Sequence, residues 1–221
     1  MNNKDLFTPE KHSEPKFKKI KVSGKWMRRR FLCSKDYIIN ECHGSCCEGS
    51  EDLTISLLPD EEEYFKFKGY KVEKSKLYPD QKTGLCPFKN ENGLCELHNS
   101  EHKPFGCIVS PFYIKKNTLQ IRNRYTLMKC HIKGRGSKKG EYAYKVFRPS
   151  LDLIFGKEEA ERVCKLLDAG LENIKEAKIS IEVYDKLNYL ESLKTKGRVN
   201  NFLKRKIEQR TKKDKFLNKW L

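Results

Sequence analysis

The sequence predicts an α+β protein: an irregular cysteine-rich metal-binding core with short strands, followed by C-terminal α-helices. Three observations predict it. Eight of the nine cysteines fall between Cys33 and Cys130. The same stretch carries short alternating apolar runs separated by glycine and proline, the pattern of short strands and tight loops. Beyond residue 155, apolar residues recur at helical spacing. We therefore expect a disordered basic leader over residues 1–25 and a cysteine-cluster metal-binding domain over 26–155. A helical C-terminal region over 156–221 should pack on that core or extend it.

The elements follow in chain order. Residues 1–25 are polar, lysine-rich and aperiodic, which predicts an extended or disordered leader. A short strand is expected within residues 26–33, which contain Arg28, Arg29 and Arg30. Residues 40–52 read as a ligand loop, with Gly44 and Gly49 permitting tight turns. Residues 53–57 alternate like a strand, and Pro59 opens a helix whose first turn, Asp60 to Glu63, complements the helix dipole. Residues 69–85 read as loops and short strands. Residues 86–112, with Pro87, Pro104 and Pro111, leave little room for regular structure. Tyr113–Ile114 and residues 118–122 form a hairpin turning at Lys115, Lys116 and Asn117. Residues 133–141, rich in glycine and lysine, read as mobile. Ala160, Val163, Cys164, Leu167, Leu171 and Ile174 make a helical stripe over 156–177. Ile181, Tyr184, Leu187, Leu190 and Leu193 continue it in a second helix, and 199–221 predicts a basic, amphipathic third.

Composition narrows the function classes. The chain has 221 residues, 37% hydrophobic and 35% charged, so its apolar core is modest and a bound metal would matter to folding. The N-terminal residues lack the basic-then-apolar pattern of a signal peptide, and no apolar run approaches the roughly 18 residues of a membrane span. We expect a cytoplasmic protein whose thiols stay reduced. Disulfides are the competing use of these cysteines; the odd total and the missing signal peptide oppose it. The net charge is +17 and the pI about 9.4. Residues 103–140 hold ten Lys/Arg and no Asp/Glu, and residues 181–221 hold twelve Lys/Arg against five acids. Such patches suit an acidic protein or nucleic acid as partner, or form a solvated lysine-rich surface.

The cysteines are spaced like ligands. Cys42, Cys46 and Cys47 form the densest piece, then Cys86-Pro87-Phe88, Cys95-Glu96-Leu97-His98, Lys103-Pro104-Phe105-Gly106-Cys107 and Cys130. Thiolates bind zinc and the iron of iron–sulfur clusters, and close pairs present two sulfurs from one turn. Side chains of the adjacent Cys46 and Cys47 tend to diverge, so the two can serve two metals, or one can bind while the other supports. Eight thiols, Cys33, Cys42, Cys46, Cys47, Cys86, Cys95, Cys107 and Cys130, can fill two four-thiolate sites. These would hold two zinc ions or two iron–sulfur clusters, the 4Fe–4S type among them.

In these ordered pieces the chain resembles the YkgJ-like cysteine-cluster family of zinc- or iron-chelating proteins over roughly residues 31–155. That family's CxxCxxxCC signature is matched from Cys42 to Cys47. Its C-P-F segment is matched at Cys86, its C-x-[IL]-[YH] segment at Cys95 and its R-P-x-x-C-x-x-x-P-F segment at Lys103 to Phe112, with Lys103 for arginine. Cys130 fits its late cysteine. The signature's first cysteine falls on Ile39, and the resemblance implies that Cys33 substitutes for it from upstream. A similar cluster in flagellin lysine N-methylase implies an iron–sulfur site and S-adenosylmethionine chemistry.

Other residues carry weaker signals. Cys164 lies on the helical stripe and reads as a small core hydrophobe. His98 suits packing or hydrogen bonding near Cys95; His43 and His131 adjoin cysteines, and His12 and His102 read as surface. Arg122 and Arg124 are placed on one strand face, where they could bind an anion near the metal or simply be solvated. Phe202, Phe216 and Trp220 read as helix packing. Gly134-Arg135-Gly136 lacks the strand-to-helix setting of a dinucleotide loop. The expectation is a metal-binding protein holding iron–sulfur clusters, or iron or zinc, with a redox or group-transfer, methylase-like activity on a macromolecule. The alternatives are a zinc-stabilised binding module for an acidic partner or nucleic acid, and a metal carrier.

Overall fold

The structure, a computed structural model, describes residues 16–47, 54–98 and 100–193. The chain is α+β, with mixed sheets of short strands and helices among them. The strands are β1 Phe17–Ser23, β2 Arg30–Phe31, β3 Ile55–Ser56, β4 Val72–Glu73, β5 Lys76–Leu77, β6 Phe112–Lys115, β7 Thr118–Ile121, β8 Glu141–Tyr142 and β9 Asn173–Ser180.

The main sheet runs β6-β7-β1-β9. The predicted hairpin forms as β6 and β7, with Lys116 and Asn117 both at positive φ, the two-residue turn whose twist matches that of its strands. β1 then lies parallel to β7 and antiparallel to β9. Part of the expected leader is thus an inner strand: Ile20 and Val22 are fully buried. Residues 1–15 lie outside the described residues. The sheet draws a strand from each of the three segments expected from sequence.

The expected helix over 156–177 stops early. It spans Lys157–Asp168, and Gly170 at φ 89° closes it. Gly170 N–H donates to Leu167 C=O and Leu171 N–H to Leu166 C=O, the paired bonds of a glycine-terminated helix. Ile174 therefore belongs to β9. The register between β1 and β9 shifts between Ile20 and Val22, so Ile174 and Ala177, three apart, both face inward. The two helices Arg148–Phe155 and Lys157–Asp168 pack beside the sheet through Leu151, Ile154, Ala160, Val163 and Leu167. The second predicted helix is present over residues 181–193 and buries Leu187 and Leu190. The third, over 199–221, with Phe202, Phe216 and Trp220, lies outside the described residues.

A second apolar cluster, Leu57, Phe65, Val72, Leu77, Cys86 and Phe88, sits under the small sheet β3-β5-β4 and the Pro59–Phe67 helix. The interior is aliphatic and aromatic rather than cysteine-rich: of the described cysteines, Cys86 and Cys164 are buried, and Cys46, Cys130 and Cys95 pack against the edges of the two clusters. Within residues 133–141, expected to be mobile, Gly134 and Gly140 are buried and most of the others are exposed. The Lys129–Arg135 helix runs into them, and a Cβ on Gly134 would stand 2.9 Å from Leu32 N. Arg122 and Arg124 do not share a strand face, because β7 ends at Ile121 and a 3-10 turn, Asn123–Leu127, follows.

Leu119, fully buried on β7 beside the inner strand, tests this core. Leu119→Ala should cost about 2–5 kcal/mol in denaturant titration. Phe67→Ala, at a side chain 87% exposed, should stay within about 0.5 kcal/mol of the parent.

Candidate metal centre

The segment from Arg30 to Cys33 is held against the Lys129–Arg135 helix. Leu32 N–H donates to Cys130 C=O at 2.9 Å, and His131 Nδ1–H donates to Arg30 C=O at 2.8 Å. Gly134 leaves room for the backbone of Phe31 and Leu32 to pass. Cys33 therefore enters beside Cys130. Next, a short π-helical turn, Ile38–Cys42, carries Cys42, and a left-handed His43 (φ 46°) with Gly44 (φ 63°) reverses the chain into the Ser45–Cys47 turn. Lys133 pairs with Glu41 at 2.9 Å, joining this turn to the same helix.

The result is one neighbourhood of thiols. Burial pushes the Cys33 thiol up to about 12, and the closeness of Cys46, Cys130 and Cys42 adds to it. Cys33 is the most exposed of the described cysteines. Cys130 is pushed up to about 11, by burial first and then by Cys46 and Cys42. Cys46 and Cys130 both pack against the main core.

A second neighbourhood lies in the loops after β5. Cys86 opens a turn in which Lys89 N–H reaches Cys86 C=O at 3.0 Å; Lys89 and Cys95 then bridge antiparallel. Cys107 lies in the Phe105–Ile108 helical turn, fixed by Cys107 N–H to Pro104 C=O at 2.8 Å. Burial pushes Cys107 up to about 12, helped by Cys86 and Cys95. Cys86 is raised by burial, with Cys95 adding and the Phe88 N–H opposing. Cys46 is within electrostatic reach of Cys86 as well, so it stands between the two groups.

Two glycines close the contact between the loops. A Cβ on Gly44 would lie 2.2 Å from Gly93 C=O, and a Cβ on Gly93, at φ 75°, would lie 2.5 Å from the His43 carbonyl carbon. Glu61 braces the second group: its carboxylate accepts from Leu58 N–H at 2.8 Å and Phe105 N–H at 2.5 Å, while burial raises its pKa against those bonds.

Seven of the eight sequence-predicted ligands thus fall into two neighbourhoods: Cys33, Cys42, Cys46 and Cys130, and Cys86, Cys95 and Cys107. The side chain of Cys47 lies outside the described residues. Among the described residues, no three His, Cys, Asp or Glu side chains are arranged so as to hold one metal ion. The thiols are neighbours rather than a formed coordination sphere.

The other candidates separate from these groups. Cys164 is buried in the main core. His131 is committed to Arg30 and stacks on Phe31, with ring centroids 4.9 Å apart. His98 Nδ1 lies 3.4 Å from Lys103 Nζ, and that charge lowers its pKa. His43 is exposed and turns the chain; His102 stacks on Tyr64. His12 lies outside the described residues. Arg122 pairs with Glu191 at 2.6 Å, whereas Arg124 donates to Tyr125 Oη and lies near Cys46 and Cys107.

Sequence reasoning missed Tyr37. Its hydroxyl is buried with no hydrogen-bond partner among the described residues, close to Cys130 and Cys42. Tyr37 carries no motif signal; it directly precedes the π-helical turn that carries Cys42.

Two outcomes follow for the metal-free protein. Gly93→Ala forces both a strained φ and a backbone clash, so it should destabilise by about 1–3 kcal/mol or more in denaturant titration. The second concerns pH. In an unfolded chain cysteine titrates near about 8.5. Cys33, Cys107 and Cys130 hold their protons to about 12, 12 and 11 in the fold. Their contribution is intact below the unfolded value and is lost as pH rises through the folded values. Denaturation midpoints should fall between about pH 7 and pH 10, and fall less in a C33S/C107S/C130S variant.

No protein-family model, curated protein or solved structure matches this chain.

Proposed function

We propose that this chain is a metal-binding protein whose cysteines hold two centres. Cys33, Cys42, Cys46 and Cys130 serve one; Cys86, Cys95 and Cys107 serve the other, with Cys47 as its fourth thiolate on chemistry alone. Iron–sulfur clusters, of the 4Fe–4S type, are the favoured occupants, with zinc the alternative. The observation that carries the reading is the grouping of thiols from three separate segments, residues 33–46, 86–107 and 130, into two neighbourhoods.

The donor set fits the group. Soft thiolates with no histidine among them suit iron–sulfur clusters as well as zinc. The raised thiol values mean that burying several thiolates together is unfavourable until a cation neutralises them. The Tyr37 hydroxyl adds an O–H donor, the kind of contact that tunes a cluster's potential. Bound iron–sulfur clusters would supply electron transfer, which supports a redox or group-transfer, methylase-like role on a macromolecule. The ordered pieces shared with YkgJ-like proteins support the same reading. One observation favours zinc: each thiol group flanks its own apolar cluster, as an ion that only stabilises a binding module would. In that case the basic surface, facing an acidic protein or nucleic acid, carries the function. Among the described residues no helix is long and apolar enough to cross a membrane.

Protein purified without oxygen should contain iron with matching acid-labile sulfide and absorb near about 400 nm; zinc without sulfide would select the alternative. Cys46→Ser and Cys107→Ser should each lose metal, and Cys164→Ala, in the apolar core, should keep it. Equal metal content in all three would overturn the ligand assignment.

A further inference from the structure

A second site lies on the far side of the Lys129–Arg135 helix and goes beyond the metal reading. Arg28, Arg29, Arg30, His131 and Arg135 frame an open cavity of about 390 Å³. That volume falls in the range of small-ligand pockets, about 300–1,000 Å³. Its walls are built. Arg28 donates to Leu167 C=O at 3.1 Å and Leu171 C=O at 2.6 Å, and so caps the exposed carbonyls at the end of the Lys157–Asp168 helix. Arg30 donates to Gly140 C=O at 2.9 Å and lies over the Tyr142 ring at 4.8 Å. The Arg29 guanidinium lies 4.1 Å over the Trp26 ring.

The charge is what calls for a ligand. Arg122, Arg148 and Arg162 are each paired with a carboxylate. Among the described residues, no carboxylate pairs with Arg28, Arg29, Arg30 or Arg135. Arg29 and Arg135 also make no side-chain hydrogen bond there, and burial first, then the charge of Arg135, lower the pKa of Arg29. On Arg29 and Arg135 the five N–H donors of each guanidinium, in a fork that matches phosphate oxygens, are left for a partner.

We propose that this cavity binds a phosphate-bearing anion of two or more charges, an oligophosphate such as the tail of a nucleotide. A concave site converging several guanidiniums suits a compact, multiply charged group better than the singly charged, spread phosphodiesters of a nucleic acid strand.

The test uses the full chain with Trp220→Phe, which leaves Trp26 as the one tryptophan and makes its emission a report on Arg29. Inorganic pyrophosphate and, separately, ATP are titrated at about 0.15 M salt, where diffuse surface attraction is screened. Saturable binding is expected, weakened about tenfold or more in R29Q/R135Q, a loss the size of one or two charge-assisted contacts. Those two arginines are chosen because they hold no backbone carbonyl; Arg135→Gln alone should show part of the loss. K115Q/K116Q, at the exposed tip of the β6–β7 hairpin, should leave binding unchanged. Similar affinities for both probes would assign recognition to the oligophosphate, and tighter ATP binding would add the nucleoside. Absent saturation with either probe, or equal loss in the arginine and lysine variants, would overturn the proposal. None of these readouts depends on the metal, so the two readings fail separately.

Discussion

The arrangement of the candidate centre depends on the seam between residues 30–33 and the Lys129–Arg135 helix. Two hydrogen bonds, Leu32 N–H to Cys130 C=O and His131 Nδ1–H to Arg30 C=O, fix its register. Gly134 allows the backbones to touch, and the short pair β2–β8 extends the contact on the other side. Without this seam, Cys33 and Cys130, about a hundred residues apart in sequence, would have nothing to bring them together. Long-range closure of this kind is opposed by chain entropy and must be balanced by buried contacts. Phe31, fully buried between His131 and Phe147, supplies them.

A second constraint joins the two thiol groups. Each group borders its own apolar cluster: Cys46 and Cys130 the main core, Cys86 and Cys95 the smaller one. The clusters could be independent, but Gly44 against Gly93 and Gly106 against Ser56 bring their loops to backbone contact. No side chain fits between them, so the spacing of the two groups is set by main chain rather than by adjustable rotamers. Cys46, within reach of both groups, occupies the seam this creates. Thiols held by loops with so little regular structure would otherwise be free to drift apart.

Much of this was legible in the sequence, and the rest was hidden for physical reasons. The hairpin at Lys116–Asn117 and the helix at Pro59 were legible because turn residues and a helix-starting proline act locally. The class, α+β, followed from mixed periodicities. The end of the Lys157–Asp168 helix was also written locally, in Gly170, but the apolar spacing of Leu171 and Ile174 mimicked a continued stripe. A bulge then gave β9 a three-residue step that no simple period contains. β1 was illegible because its lysine-rich alternation buries only Ile20 and Val22, and its place is set by pairing with strands far away in sequence. The cysteines were legible as a set, since their spacing is their signal. Their division into two groups was not, because it depends on the seam and on the glycine contacts. Tyr37 and the four arginines carry no spacing signal at all.

The helix Lys129–Arg135 shows how one element can serve several surfaces. Residues three or four apart share a helix face. Cys130 and Lys133 face the Cys42 turn, one offering a thiol and the other pairing with Glu41. His131 and Arg135 face the arginine cavity, where His131 also holds Arg30 in place. Gly134 lies between these faces, against Phe31 and Leu32. A ligand that moved Arg135 or the Arg28–Arg30 segment would therefore pull on the same backbone that positions Cys33 and Cys130. The coupling needs no long path, since the two sites share one helix and one strand. The Leu32 N–H to Cys130 C=O bond, at 2.9 Å, is where the two sites share backbone.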